Sequence, residues 1–316
     1  MYPWNNTLWQ RFCRQQQQQR LPHALLLTGI AGLGKQQFAN AIVATMLCTS
    51  LKDDGSPCSQ CHSCQLLHAG NHPDHIKITA EDTGKQIKVD QIRDLKDKQQ
   101  LTTSVANWKT IVISPADSMN VSASNSLLKL LEEPQHNTLL ILISNKPERL
   151  PITIRSRCQN YHFVSPPQKE GLAWLTEQAE NYNDEIEKIL QLAYGAPIKA
   201  LEMLENNVSE QYYQLERDFE ALLAGQANPI TLALSWKELD LSQVLHYFQH
   251  LLKKRLTQLL KTRQNMINIS YYYKMSDCIT ETIKLISSPN NVNKTLLTED
   301  FIVSVMTISQ KTRSNR

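Results

Sequence analysis

The segment Gly29-Ile30-Ala31-Gly32-Leu33-Gly34-Lys35-Gln36 has the length, glycines and lysine of a phosphate-binding loop, but Gln36 stands where Ser or Thr is expected. In such loops the backbone N–H groups cradle phosphates, the lysine reaches the β/γ-phosphates and the hydroxyl holds Mg²⁺. A glutamine amide is bulkier and a poorer magnesium ligand. A second cluster is Cys48, Cys58, Cys61 and Cys64, the last three separated by two residues each. Tight spacing lets neighbouring thiolates converge on one ion, and four sulfurs complete the tetrahedral shell of a structural Zn²⁺. His62 and His68 lie close by as spare donors. Four thiolates leave no position for them, nor for a substrate.

These groups need elements to hold them. Ala24–Thr28 is a short apolar run leading into the glycine loop, and residues 36–47 carry helical spacing. Strand, loop and helix in that order give a phosphate cradle its context. Thr110–Ile113 and Thr138–Ile143 read as further buried strands. Between them, residues 121–133 form a helical pattern that Asn120 can cap and Pro134 ends. Alternating strands and helices predict a parallel sheet covered on both faces. Ser165-Pro166-Pro167 reads as a linker. Beyond it come short helices broken at Gly195-Ala196-Pro197, then long patterns at 212–223, 242–260, 276–286 and 297–308. The run Gln15–Gln19 reads as an exposed helix face.

With 316 residues, 41% hydrophobic and 20% charged, the chain suits two or three soluble domains. A net charge of +3 makes no strong case for nucleic acid. Lys253, Lys254, Arg255, Lys261 and Arg263 make one basic helix, and such charge runs are usually solvated faces. The start Met1-Tyr2-Pro3-Trp4 lacks a secretory pattern, and no run of about 18 apolar residues exists. A cytoplasmic location with no membrane contact is expected. In a reducing compartment the cysteine cluster points to metal rather than disulfides.

A hydrolysing loop also needs a carboxylate after its second strand to support Mg²⁺, and usually a glutamate to activate water. Ser114 and Pro115 hold those positions. Asp117, three residues past Ser114, is expected to serve a turn or helix start and to point elsewhere. Hydrolysis is therefore expected to be lost. Nucleotide binding stays open, because Lys35 and the loop amides remain.

The stretch Asn125–Pro134, reading NSLLKLLEEP, followed by Leu150–Cys158, reading LPITIRSRC, resembles the paired signature of bacterial sliding-clamp loader subunits of the AAA+ class. The cysteine module after the loop helix, His72-Pro73-Asp74 and Pro22-His23-Ala24 fit the same family. The likeness is dense over the first 165 residues and architectural beyond, where Asn293–Glu299 resembles the end of a collar domain. It implies an α/β P-loop domain with a parallel sheet and an inserted zinc module (48–64) over 1–165. A small helical lid domain over 166–206 and an all-helical collar domain over 207–316 would follow. Within the family, the lost magnesium chemistry matches a non-hydrolysing stator subunit.

The resemblance also implies site roles. Arg157 of Ser156-Arg157-Cys158 is an arginine finger given in trans to a neighbour's ATP; Cys158, which no motif pairs with a histidine, reads independently as a small buried residue. Asn145 falls at a polar sensor position, and Ile198 falls where a motor subunit carries its sensor arginine. Lys199, about 100° around a helix, is a poor substitute. The implied partners are motor gamma/tau subunits and the clamp-opening delta subunit, with the sliding clamp and primed DNA reached indirectly. The apolar stripe Leu241, Val244, Leu245, Phe248, Leu251 and Leu252 is assigned to the ring-holding collar, and in part to its own core. An ATP-hydrolysing motor subunit and a stand-alone zinc-containing DNA-binding protein are the rival readings.

Overall fold

The computed structural model describes residues 1–80, 86–100, 103–179, 186–206, 209–237, 239–262, 266–287 and 293–314. It divides into two compact units, Met1–Glu202 and Met203–Arg316.

The first unit is built on five parallel strands: β1 Ala24–Thr28, β2 His75–Ile78, β3 Lys109–Ile113, β4 Thr138–Ser144 and β5 Gln159–His162. Their order in the sheet is β2-β3-β4-β1-β5. β1, β3 and β4 are buried at every residue, which their near-continuous apolar sequences require. Alternate residues feed opposite faces. Leu25, Leu27, Leu139 and Ile141 meet Phe38, Ile42 and Val43 of α2 (Lys35–Leu47) on one face. Leu26, Ile111, Leu140 and Leu142 meet Ala123, Leu127 and Leu131 of α5 (Val121–Glu132) on the other. Asn120 caps α5 as expected, its side chain accepting from the Ala123 N–H at 2.7 Å.

The sheet has two strands beyond the three expected. β2 and β5 are edge strands, each with a single buried residue, Ile78 and Tyr161, so neither carries a long apolar run. Around them run α1 (Asn6–Gln17), α3 (His62–His68), α4 (Val89–Gln100), α6 (Ile152–Arg155), α7 (Gln168–Gln178), α8 (Ile186–Leu192) and α9 (Pro197–Glu205). The glutamine run is not simply an exposed helix face. α1 stops at Gln17, and Gln15 reaches β5, donating to Gln159 at 3.0 Å and accepting from the Tyr161 hydroxyl at 2.6 Å.

The second unit is helical: α10 (Ser209–Leu223), α11 (Pro229–Ser235), α12 (Leu241–Thr262), α13 (Met266–Ser287) and α14 (Lys294–Ser314). α13 begins ten residues before the expected start. Leu241, Val244, Leu245, Phe248 and Leu252 fill this unit's own core, where Phe248 packs on Phe219, Trp236 and Phe301. The stripe is intradomain core, and only Leu251 remains half-buried. The basic helix is also less free than its sequence implies, because Arg255 bonds both carboxylate oxygens of Glu220 at 2.5 and 2.6 Å. Lys253 and Lys254 are exposed, and Arg263 lies outside the described residues.

His72-Pro73-Asp74 locks the turn between α3 and β2. Ser63 Oγ donates to the Leu47 carbonyl at 2.6 Å and sits 2.8 Å from His72 Nε2, while the Asp74 N–H donates to His72 Nδ1 at 3.0 Å. A neutral imidazole protonated at Nε2 satisfies all three contacts. Asp74 in turn accepts the N–H groups of Ser104, Val105 and Ala106 at 2.7, 2.8 and 2.9 Å. Burial would raise its pKa, but those three donors prevail and hold it below its ordinary value. A carboxylate depressed in the folded state stabilises fully above the ordinary value and loses that effect as pH falls through the folded one. Asp74→Asn is expected to cost on the order of 2 kcal/mol in the first unit's thermal unfolding and to flatten its acid-side loss below about pH 4. An unchanged melting curve would contradict this role.

Candidate functional site

The phosphate loop springs from the C-terminal end of β1, between β4 and β5, and opens α2 with Lys35. In open α/β sheets this is where ligands bind. Here the loop is closed onto itself. Lys35 is 5% exposed, and its Nζ donates to the carbonyls of Gly29 at 2.7 Å and Ile30 at 2.5 Å. Burial pulls its pKa down to about 8, against the opposing pull of Asp117. Gln36 turns its amide along the helix to Asn40, 3.0 Å away.

The outer side of the loop is walled by three other segments. Trp4 Nε1 and Asn5 Nδ2 both donate to the Leu33 carbonyl at 3.0 Å. Gly34 has φ +87°, and a Cβ there would come within 2.5 Å of the Tyr2 ring. At Gly32, φ +80°, a Cβ would fall 2.4 Å from Lys199 Cβ, and the Gly32 carbonyl accepts from the Ile198 N–H at 3.3 Å. Tyr2 stacks on Trp4 with centroids 5.0 Å apart, and Trp174 of α7 packs edgewise on both. The segment before α1, α7 and the start of α9 thus converge on one loop.

Asp117 departs from expectation. It does stand in a short 3-10 turn, Ala116–Ser118, but it faces the site rather than away from it. Its Oδ1 accepts from Ser144 Oγ at 2.7 Å and from the Asn145 N–H at 2.9 Å, and its charge acts on Lys35. Ser114 and Pro115 end β3 and bring no carboxylate. Asn145 is held through its backbone, with its residue exposed.

At the far end of α2, Cys48 forms the C-cap, and Cys61 is the N-cap of α3. The sulfurs of Cys48, Cys58, Cys61 and Cys64 all lie within 4.8 Å of one another. Cys48 Sγ is 3.6 Å from Cys58 Sγ and 4.0 Å from Cys61 Sγ. Sulfurs at about 2.3 Å from a tetrahedral ion sit about 3.8 Å apart, so the cluster fits a metal. Backbone N–H groups point at the sulfurs: Cys58 N to Cys48, Gln60 and Cys61 N to Cys58, and Cys64 N to Cys61, at 3.3–3.5 Å. Such donors favour thiolates. Burial would raise the Cys61 thiol, but bonds from Thr49 and Cys64 bring it down to about 5, whereas burial and the neighbouring thiols push Cys64 up to about 12. His62 and His68 are exposed and lie outside the group.

Arg157 follows α6 and is partly exposed. Its Nη1 donates to the Thr153 carbonyl at 3.0 Å, and its Nη2 lies 2.8 Å from Glu132 Oε1. Ser156 Oγ closes the same turn by donating to the Thr153 carbonyl at 3.1 Å. Cys158 is buried against the α5 face of the sheet, which pushes its thiol up to about 12. It is unsuited to nucleophilic work.

A family model described as "DNA polymerase III, delta subunit" matches residues 4–167. The subunit delta' of Pseudomonas aeruginosa is 37% identical over 78% of this chain and 75% of its own length. That of Haemophilus influenzae is 32% identical over 77% and 74%. The chain belongs to the DNA polymerase III delta' family. Among solved structures, a gamma subunit-related protein of Thermotoga maritima aligns over 91% of this chain and 95% of its own, with 17% identity and a TM-score of 0.49.

For this delta' family member, Gly29, Gly32, Gly34, Lys35 and Gln36 form one loop as expected, and the four cysteines converge. Four contributors escaped the sequence reading: Tyr2, Trp4, Asn5 and Trp174. The density of aromatic and amide side chains over residues 2–6 is a signal for the first three, and Trp174 has none. Lys35 yields a pH test. Because its folded pKa lies near 8 and its ordinary value at 10.5, the unfolded chain binds more protons between them. Stability should therefore gain on the order of 3 kcal/mol from this group as pH rises through that window. Denaturant titrations of Lys35→Met should lack that gain, and a parallel pH profile for both proteins would refute it.

Proposed function

We propose that this chain is the stator of a DNA polymerase III clamp loader: a subunit that hydrolyses no ATP but supplies Arg157 to the ATP site of the adjacent motor subunit. The observation that carries this reading is the contrast between two sites. The chain's own loop has no hydroxyl at Gln36, and Ser114 and Pro115 bring no carboxylate after β3. Arg157 stands partly exposed, with a planar, permanently charged fork suited to two phosphate oxygens. The rival motor reading requires parts that this chain lacks. Gamma/tau and delta subunits are the implied neighbours, and the sliding clamp and primed DNA are reached through the ring. The domain assignment 1–165, 166–206 and 207–316 belongs to this proposal, with the last segment as the ring-holding collar. So does a cytoplasmic location, and no helix among the described residues is long and apolar enough to cross a membrane.

We further assign the cysteine cluster a structural Zn²⁺, for which four sulfurs are the closed ligand set. Its part is to join the end of α2 to α3, and the four sulfurs leave no coordination position for a reactant. In a loader reconstituted from this chain with gamma/tau and delta, Arg157→Ala should reduce ATP turnover by about 10³-fold at the one site it serves, leaving assembly intact. Because other sites keep turning over, single-turnover measurements are needed, and an unaltered amplitude of fast hydrolysis would end the proposal. Elemental analysis of the purified chain should find about one zinc, and Cys61→Ser should lower the metal content and the unfolding temperature together. A folded chain without metal would rule out the zinc assignment.

A further inference from the structure

We propose that Glu132 is the positioning residue for Arg157: the carboxylate fixes the guanidinium so that its remaining N–H groups face outward to an incoming triphosphate. This rests on the reading of Arg157 as a finger, and deepens it.

Glu132 is the last residue of α5, and Arg157 lies just past α6. The two signature stretches singled out in the sequence, 125–134 and 150–158, therefore meet through one ion pair. Arg157 Nη1 is held by the Thr153 carbonyl at 3.0 Å and Nη2 by Glu132 Oε1 at 2.8 Å. A guanidinium has five N–H donors in a rigid fork, so two fixed bonds define its plane. The others, Nε–H among them, have no partner among the described residues and are available to an anion.

The pair is poorly explained as a stability device. The side chains are 37% and 50% exposed, where an ion pair adds little. A carboxylate at the C-terminal end of a helix also opposes the helix dipole, and Glu133 places a second one beside it. What the contact does accomplish is conformational. A long side chain that must otherwise be ordered when the neighbour docks is ordered beforehand, and such preorganisation acts on the rate of the chemical step. Because Thr153 retains one end of the fork, loss of Glu132 loosens the finger without removing it.

The test is single-turnover and steady-state ATP hydrolysis by the reconstituted loader. Glu132→Ala should lower kcat at the served site about 3- to 10-fold while leaving KM for ATP unchanged, since the neighbour's own loop holds the nucleotide. Glu132→Gln, whose amide oxygen can still accept from Nη2, should retain most of the rate. In an Arg157→Ala background, Glu132→Ala should add nothing. Additive losses, a change confined to KM or to assembly, or a kcat that stays level or rises would overturn the positioning role. If Arg157→Ala itself leaves hydrolysis unaltered, the finger reading falls first and this one with it. If Arg157→Ala slows the site but Glu132→Ala does not, only the positioning role is lost.

Discussion

The contact on which the first unit's organisation depends is the one between the Lys35 ammonium and the carbonyls of Gly29 and Ile30. A phosphate loop presents its N–H groups to one side and leaves several carbonyls directed inward. Lys35 bonds two of those carbonyls from within. A buried lysine is costly, and two short bonds offset part of that cost, burial still holding its pKa down to about 8. The outer side is then packed by Trp4, Asn5, the Tyr2 ring and the start of α9. The loop is thereby a joint between the sheet and its surrounding helices.

Helix α2 carries this logic from one end to the other. It starts at Lys35 and its C-cap is Cys48, so the loop and the thiolate cluster terminate one rod. Ser63, bonded to the Leu47 carbonyl, satisfies a C-terminal acceptor that would otherwise be unmatched, and His72 fixes Ser63. His72 also receives the Asp74 N–H, and Asp74 gathers the amides of 104–106 before β3 begins. A chain of local bonds thus runs from the phosphate loop through the cysteine module to the edge of the sheet.

Central strands and capped helices were legible in the sequence because one local signal decided each. β1, β3 and β4 are continuous apolar runs, and α5 has Asn120 before it and Pro134 after. β2 and β5 were not legible, since an edge strand buries one residue in four and its remaining residues look like loop. α11 was overlooked although Asn228-Pro229 is a good start signal: the Asn228 side chain accepts from both Ile230 and Thr231 N–H groups. The loop residues and thiolates could be named from spacing alone. The aromatic wall could not, because Tyr2 and Trp4 meet Trp174 only after some 170 residues have folded. Asp117 was misjudged for a related reason: sequence distance from Ser114 says nothing of where a 3-10 turn aims its carboxylate.

On the proposed reading, the loss of one site and the retention of the other have a common physical basis. Magnesium chemistry requires a hydroxyl and a carboxylate at defined places, and neither Gln36 nor Pro115 can substitute by small movements. The loop's carbonyls need donors whether or not those groups are there, and Lys35 supplies them at Gly29 and Ile30. An arginine finger, the role proposed for Arg157, has no such dependence on metal ligands in its own chain. It requires an exposed fork on a fixed turn, and Thr153 lies in the turn that provides it. On the proposed reading the fold loses a motor and keeps a finger because the two draw on different elements: β1 and α2 for the first, α5 and α6 for the second.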